Sequence, residues 1–135
     1  MKTYIYQYID FIKYIFFGGF GVLSDLILYS FLIMQSINYQ EANAWGYFLG
    51  TMISFILNRK YTFKIKDKVM RRFIKFWLVA MTGYLTSVLL LFLLVPMFDS
   101  IISKLVTLTA VVFIQFTLNK KFTFKKEYYE FYKFP

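Results

Sequence analysis

Four apolar stretches, separated by polar and basic residues, govern what this chain can become. The first runs from Tyr14 to about Gln35 and is broken only by Asp25. The second, Ala42 to about Leu57, is shorter and ends at Asn58, Arg59 and Lys60. The third, Phe73 to Val95, holds Lys75 near its start; the fourth, about Ile101 to Leu118, ends at Asn119, Lys120 and Lys121. A helix that crosses a membrane needs about 20 mostly apolar residues. The connections Ser36 to Glu41 and Pro96 to Ser100 are short, so the stretches are expected as two antiparallel helical hairpins. No signal-peptide cleavage pattern precedes the first stretch, so all four are expected in the mature chain.

Composition excludes the alternatives. Of 135 residues, 59% are hydrophobic, and the aromatics number 18 Phe, 12 Tyr and 2 Trp. A soluble domain of this size has too little interior to hide that surface. The formal charge of +9 would suit nucleic acid, but the basic residues lie in blocks between apolar runs, which points to the anionic face of a membrane instead. With no Cys and no His, the chain has no disulfide, no thiolate zinc site, no thiol nucleophile and no imidazole base. There is no Walker A loop, Glu41, Asp67 and Asp99 stand isolated, and no metal or cofactor site is expected. The chain does not read as an enzyme.

Charge sets the expected orientation. Lys2 and Lys13 precede the first stretch, eight basic residues from Arg59 to Lys75 fill the central connection, and Lys120, Lys121, Lys125, Lys126 and Lys133 close the chain. Only Lys104 falls on the other side, so both termini and the central connection are expected in the cytoplasm. Three flanking segments read as interfacial amphipathic helices. Ile5, Tyr8, Ile9 and Ile12 share one face in the first; Val69, Phe73 and Phe76 do so in the second; Tyr128, Phe131 and Tyr132 repeat the pattern in the third, where a plain aromatic belt serves equally well. Trp45 and Trp77 fall near opposite membrane interfaces.

The chain also reads as a tandem repeat. An offset of 62 carries Phe11, Ile12 and Lys13 onto Phe73, Ile74 and Lys75, Gly21 onto Gly83, and Leu23 onto Leu85. An offset of 61 carries the segment from Phe55 to Lys64 onto that from Phe116 to Lys125, and both contain Asn, two basic residues, an aromatic, Thr and Phe. The units are about 1–66 and 67–135 of one membrane domain. Each has two spans, so they insert with the same polarity, related by an axis along the membrane normal.

Phe17-Gly18-Gly19-Phe20-Gly21 leading to Asp25, the segment Asn58 to Phe63, and its echo Asn119 to Phe124 resemble the GtrA family over essentially the whole chain. The resemblance implies a free-standing member of a family associated with moving polyprenyl-phosphate-linked sugars across the cytoplasmic membrane for cell-envelope glycosylation. It implies as partners the sugar-lipid itself, membrane lipids and a membrane glycosyltransferase, and no nucleic acid. A non-transporting scaffold for such a glycosyltransferase is the first alternative, and a small exporter of hydrophobic cations the second. A thin four-span bundle around a bulky headgroup points to a homo-oligomer.

The candidate substrate-binding residues are Asp25, Asn58, Arg59, Lys60, Asn119, Lys120 and Lys121. Asp25 lies near the middle of its span, roughly 16 Å from either end. An acid at that depth costs about 2.5–3.5 kcal/mol and by default has a function; the structural alternative is an interhelical hydrogen bond. Its repeat position is Ser87, so one carboxylate serves both halves. Asn58 and Asn119, with the basic pairs that follow, are expected to grip a lipid phosphate at the cytoplasmic rim, unless they merely cap helices and set topology. Ala42, Gly46, Gly50 and Ser54 recur every four residues as a seam for close helix packing, within the chain or between chains.

Overall fold

The structure, a computed structural model, describes residues 2–62 and 69–122. It contains four helices: α1 (Lys2–Met34), α2 (Tyr39–Leu57), α3 (Val69–Leu94) and α4 (Ser100–Phe122). A π-helical turn, Asn58–Thr62, extends α2. Three helices are long and apolar enough to cross a membrane, over Phe11–Met34, Phe73–Leu94 and Ser100–Leu118. The fourth, α2, has 19 residues and is made more polar by Gln40, Glu41, Asn43 and Thr51.

The helices begin and end where local chemistry provides for their free backbone groups. Asn38 caps α2, its side chain accepting from the Gln40 amide at 2.9 Å, and Glu41 lies in the first turn where the helix dipole favours an acid. Asp99 does the same for α4 by accepting from the Ile101 amide at 2.9 Å. At the end of α1 the Ile37 amide reaches back to the Leu32 carbonyl and the Ser36 amide to that of Ile33. This is a Schellman stop, and it holds Ser36 at φ 63°, a position glycine usually takes.

The expected flanking helices are not separate elements. Ile5 to Ile12 belongs to α1 without interruption, and Val69 to Phe76 forms the start of α3. No Gly or Pro separates either amphipathic segment from its span, and both share the same helical period, so the helix simply continues. The third segment, Tyr128 to Tyr132, lies outside the described residues.

α1 packs against α2 and α3 against α4, each pair antiparallel. In the first hairpin, glycines bring the backbones together. A methyl group placed on Gly50 would meet the Gly21 carbonyl oxygen at 2.5 Å and the Asp25 Cβ at 2.9 Å; one on Gly46 would strike the Asp25 carboxylate. The small-residue seam of α2 is therefore used within the chain. The two hairpins are joined at three levels. Near the turns, Tyr29 donates to the Ser100 carbonyl (3.2 Å) and Gln40 to that of Val88 (3.0 Å). About one helical turn farther in lies a polar layer. Toward the chain termini, aromatic rings interlock: Phe11 with Phe116 at 4.6 Å, and Phe55 with Phe73 at 5.0 Å.

Burial is inverted relative to a soluble protein. Phe16, Ile27, Phe31, Leu78, Phe92 and Phe113 face outward, while Lys104, Asn43, Asn58, Thr107, Ser87 and Ser103 are almost wholly enclosed. Lipid tails are as apolar as leucine, so the interior is held by close packing and hydrogen bonds. The enclosed positions also recur at fixed spacing. Gly21, Asp25 and Tyr29 of α1 are matched 62 residues later by Gly83, Ser87 and Leu91 of α3. Ala42, Asn43, Gly46, Tyr47 and Gly50 of α2 are matched 61 residues later by Ser103, Lys104, Thr107, Leu108 and Val111 of α4; Thr51 and Ala80 depart from the match.

Two stability changes follow. Gly50→Leu is expected to separate α1 from α2 and abolish folded, monodisperse protein in detergent. Ser36→Gly is expected to stabilise by about 1 kcal/mol, because a side chain in the left-handed region carries a cost of that order, and to raise the melting temperature while leaving helix content unchanged.

Candidate functional site

One polar side chain from each helix meets at the centre of the bundle. Asp25 comes from α1, Asn43 from α2, Ser87 from α3 and Lys104 from α4; each is at least 95% buried. The Lys104 ammonium lies 2.8 Å from Asp25 Oδ1 and donates to Asn43 Oδ1 at 2.8 Å. Ser87 donates to the same Asn43 oxygen at 2.9 Å. The Tyr29 ring lies beside the ammonium, its centroid 5.0 Å away. Gly46 is what lets the Asp25 carboxylate reach inward, since any side chain there would occupy its place.

This layer separates two unlike halves. Toward the hairpin turns, Tyr29, Ala42 and Leu91 close the bundle with an apolar plug, backed by Ile33 and Ile101. Toward the chain termini there is a cavity of about 280 Å³. Asp25 and Tyr47 border its inner end; Gly18, Ser54, Phe76 and Phe116 line it farther out. Tyr47 donates to the Ala80 carbonyl at 2.7 Å and accepts from the Gln115 amide at 2.6 Å, so its hydroxyl is fixed between α3 and α4. Gly83 makes room for that hydroxyl. The volume is close to the lower end of ligand pockets, roughly 300 Å³. The wall is mostly apolar, and a few polar groups, among them Asp25, Tyr47, Ser54 and Gln115, stand among its aliphatic and aromatic side chains.

The sequence model of the GtrA/DPMS transmembrane domain matches residues 13–124, the great majority of the chain. The chain belongs to the GtrA/DPMS transmembrane-domain family. No curated protein and no solved structure gives a match.

Within this family member, the sequence-derived candidates separate. Asp25 lies in the polar layer and borders the cavity, but it is ion-paired rather than alone. Lys104, read from the sequence as an outer-side topology signal, is instead enclosed in the bundle as the partner of Asp25. The signal was present: a charge five residues into an apolar helix is as anomalous as Asp25. The repeat register also places Lys104 on Asn43 and Ser87 on Asp25, the same four residues that meet.

Asn58 is 1% exposed and engaged by its own helix end. Its Nδ2 donates to the Ser54 carbonyl (3.0 Å), and its Oδ1 accepts from Thr62 (2.9 Å). The motif thus closes the π-helical turn, and the Asn58 amide is turned inward instead of toward a rim phosphate. Arg59 and Lys60 are exposed on that turn and do not line the cavity. Lys60 lies 5.2 Å from the Tyr61 ring centroid, and Tyr61 stacks on Phe17 at 4.9 Å. Asn119, Lys120 and Lys121 fall in the last turns of α4, and their side chains lie outside the described residues.

A buried pair of this kind is lost at great cost when only one charge is removed, about 3–5 kcal/mol. Lys104→Met is therefore expected to destabilise by that amount in chemical unfolding of the detergent-solubilised chain. Asp25→Asn combined with Lys104→Gln, which leaves two neutral groups that can bond each other, is expected to recover most of it. Additive losses in the double variant would mean that the two side chains do not interact.

Proposed function

We propose that the chain carries a polyprenyl-phosphate-linked sugar across the cytoplasmic membrane for cell-envelope glycosylation, as a multi-pass protein of the inner membrane and not as an enzyme. The observation that carries this reading is the cavity bordered by Asp25, in a member of this family, with an apolar plug between it and the hairpin turns. A phosphate and a set of sugar hydroxyls cannot cross hydrocarbon without partners for their polar atoms. Hydroxyl, amide and carboxylate groups along the cavity offer such partners, and the greasy prenyl tail stays in lipid along the apolar outer surface. Arg59, Lys60, Lys120 and Lys121 act at the cytoplasmic rim as an electrostatic loading surface; a membrane glycosyltransferase supplies the loaded lipid. Net movement follows the lipid gradient or an ion gradient.

On this reading α2 is the fourth span, and the two hairpins are copies of one unit, about 1–66 and 67–135, inserted with the same polarity. The spacing of enclosed residues supports it. So does the polar layer: under the two offsets the Asp25–Lys104 contact corresponds to Ser87–Asn43, and the Lys104–Asn43 contact corresponds to itself. Carriage then means rocking one hairpin against the other about the layer, so that the cavity closes toward the termini and opens toward the turns. The excess of Lys and Arg on the termini side supports a cytoplasmic location for that side.

Reporters fused after Lys66 and at Pro135 are expected to read cytoplasmic, and one inserted at Asn38 external; an external reading at Pro135 overturns the orientation. The function itself is tested with purified protein in vesicles, by following a sugar-lipid from one leaflet to the other. Wild type is expected to accelerate crossing; Asp25→Asn, which leaves Lys104 uncompensated and so less stable, is expected to lose crossing even in the fraction that elutes monodisperse with unchanged helix content. Failure of wild-type protein to speed crossing, with a glycosyltransferase still bound, would favour the scaffold reading.

A further inference from the structure

Several enclosed polar groups of the layer are left without hydrogen-bond partners. Lys104 brings three N–H protons and Asn43 two, while Ser87, Ser103 and Thr107 each bring a hydroxyl. The hydroxyls can accept as well as donate, the Asp25 carboxylate faces the ammonium, and Asn43 Oδ1 already takes two bonds. Asn43 Nδ2, Ser103 Oγ and Thr107 Oγ1 have no partner although all three side chains are fully enclosed, and Asp25 Oδ1 has the ion pair with Lys104 but no hydrogen bond.

The two hydroxyls are unusual for this chain. Ser24, Thr82, Thr86, Thr109 and Thr117 each donate to the carbonyl four residues back in their own helix. That is the ordinary resting bond of a helical hydroxyl. Ser103 and Thr107 make no such bond. Thr107 lies one turn from Lys104 on the same enclosed face of α4, and Ser103, the neighbour of Lys104 in sequence, is enclosed as well. Lys104 is the only enclosed basic side chain among the described residues.

We propose that Lys104, Asn43, Ser103 and Thr107 form an internal oxyanion site for the phosphodiester of the lipid, which the Asp25 carboxylate fills in this structure. The inference rests on the carrier reading above and names the group that meets the phosphate within the membrane. A phosphodiester and a carboxylate each carry one negative charge and present two terminal oxygens, so one can replace the other at the ammonium without changing its charge balance. The tetrahedral group also offers oxygens to the donors that a planar carboxylate leaves unmet. Asp25 borders the cavity, so an incoming headgroup meets it before reaching Lys104. The displaced carboxylate accepts from the sugar hydroxyls that arrive with the phosphate. Its return to Lys104 then expels the phosphate, so Asp25 is a competitor that sets release.

The test measures equilibrium binding of geranyl-phosphate-glucose to the purified full chain in lipid nanodiscs. Three proteins are compared: wild type, Asp25→Asn, and Asp25→Asn with Lys104→Gln. The double variant removes both charges together, so no buried charge is left uncompensated, and monodisperse elution with unchanged helix content verifies its fold. Asp25→Asn is expected to bind about tenfold tighter than wild type, equivalent to about 1.4 kcal/mol, while losing transport. The double variant is expected to forfeit that gain and bind more weakly than Asp25→Asn by at least as much. A purely structural ion pair predicts no tightening in either variant. Inorganic phosphate at the same concentrations is expected not to compete; equal competition would assign the site to free phosphate and overturn the lipid assignment. Equal binding by all three proteins overturns the site but leaves the carrier reading standing, whereas no binding by any of them removes the carrier reading and the site with it.

Discussion

A charged side chain survives inside a membrane domain only when another group answers it, and the arrangement of this bundle follows from one such answer. Asp25 and Lys104 stand 2.8 Å apart on helices of different hairpins. Separately each would be a large penalty in hydrocarbon; together they form a neutral pair, and Asn43 accepts from Lys104 and also from Ser87. The pair fixes the height at which the two hairpins meet. It also explains the glycines of α2, which withdraw their side chains so that Asp25 can pass between the backbones.

The same layer divides the molecule by chemistry. On the turn side, Tyr29, Ala42 and Leu91 pack without polar gaps. On the termini side a cavity remains, bordered by Gly18 and Gly19, which carry no side chain into it. The ion pair thus stands between an apolar plug and a cavity. A second packing, with the hollow exchanged between ends, would leave the hairpins themselves intact and break mainly the contacts between them. Among the described residues those contacts include two hydrogen bonds near the turns, the polar layer, the Tyr47 hydroxyl held between Ala80 and Gln115, and aromatic edges toward the termini.

Much of this was legible in the residues because hydropathy and helical period speak for each helix separately. The four stretches became four helices, and the short connections after Met34 and Leu94 became their turns. Asp25 stood out as an acid in an apolar run. What the sequence left hidden depends on which faces meet. Lys104 looked like one outer-side charge until α4 was docked against α1. Asn58 looked like an exposed amide because its motif is basic, yet the π-helical turn folds it back onto Ser54 and Thr62. The amphipathic segments beside Ile12 and Phe73 looked separable, but nothing in them breaks the helix. The offsets of 62 and 61 held the most unread information: they already aligned Asp25 with Ser87 and Asn43 with Lys104, the four residues of the polar layer.

The central claim is that one ion pair ties the hairpins together in the membrane and yields when the carrier is loaded. Solid-state NMR of the chain in lipid bilayers tests it directly, through the dipolar coupling between Lys104 Nζ and Asp25 Cγ. The account predicts a strong coupling in the empty protein and its loss on saturation with a prenyl-phosphate-sugar. No coupling in the empty protein, or a coupling that persists unchanged at saturation, would contradict it.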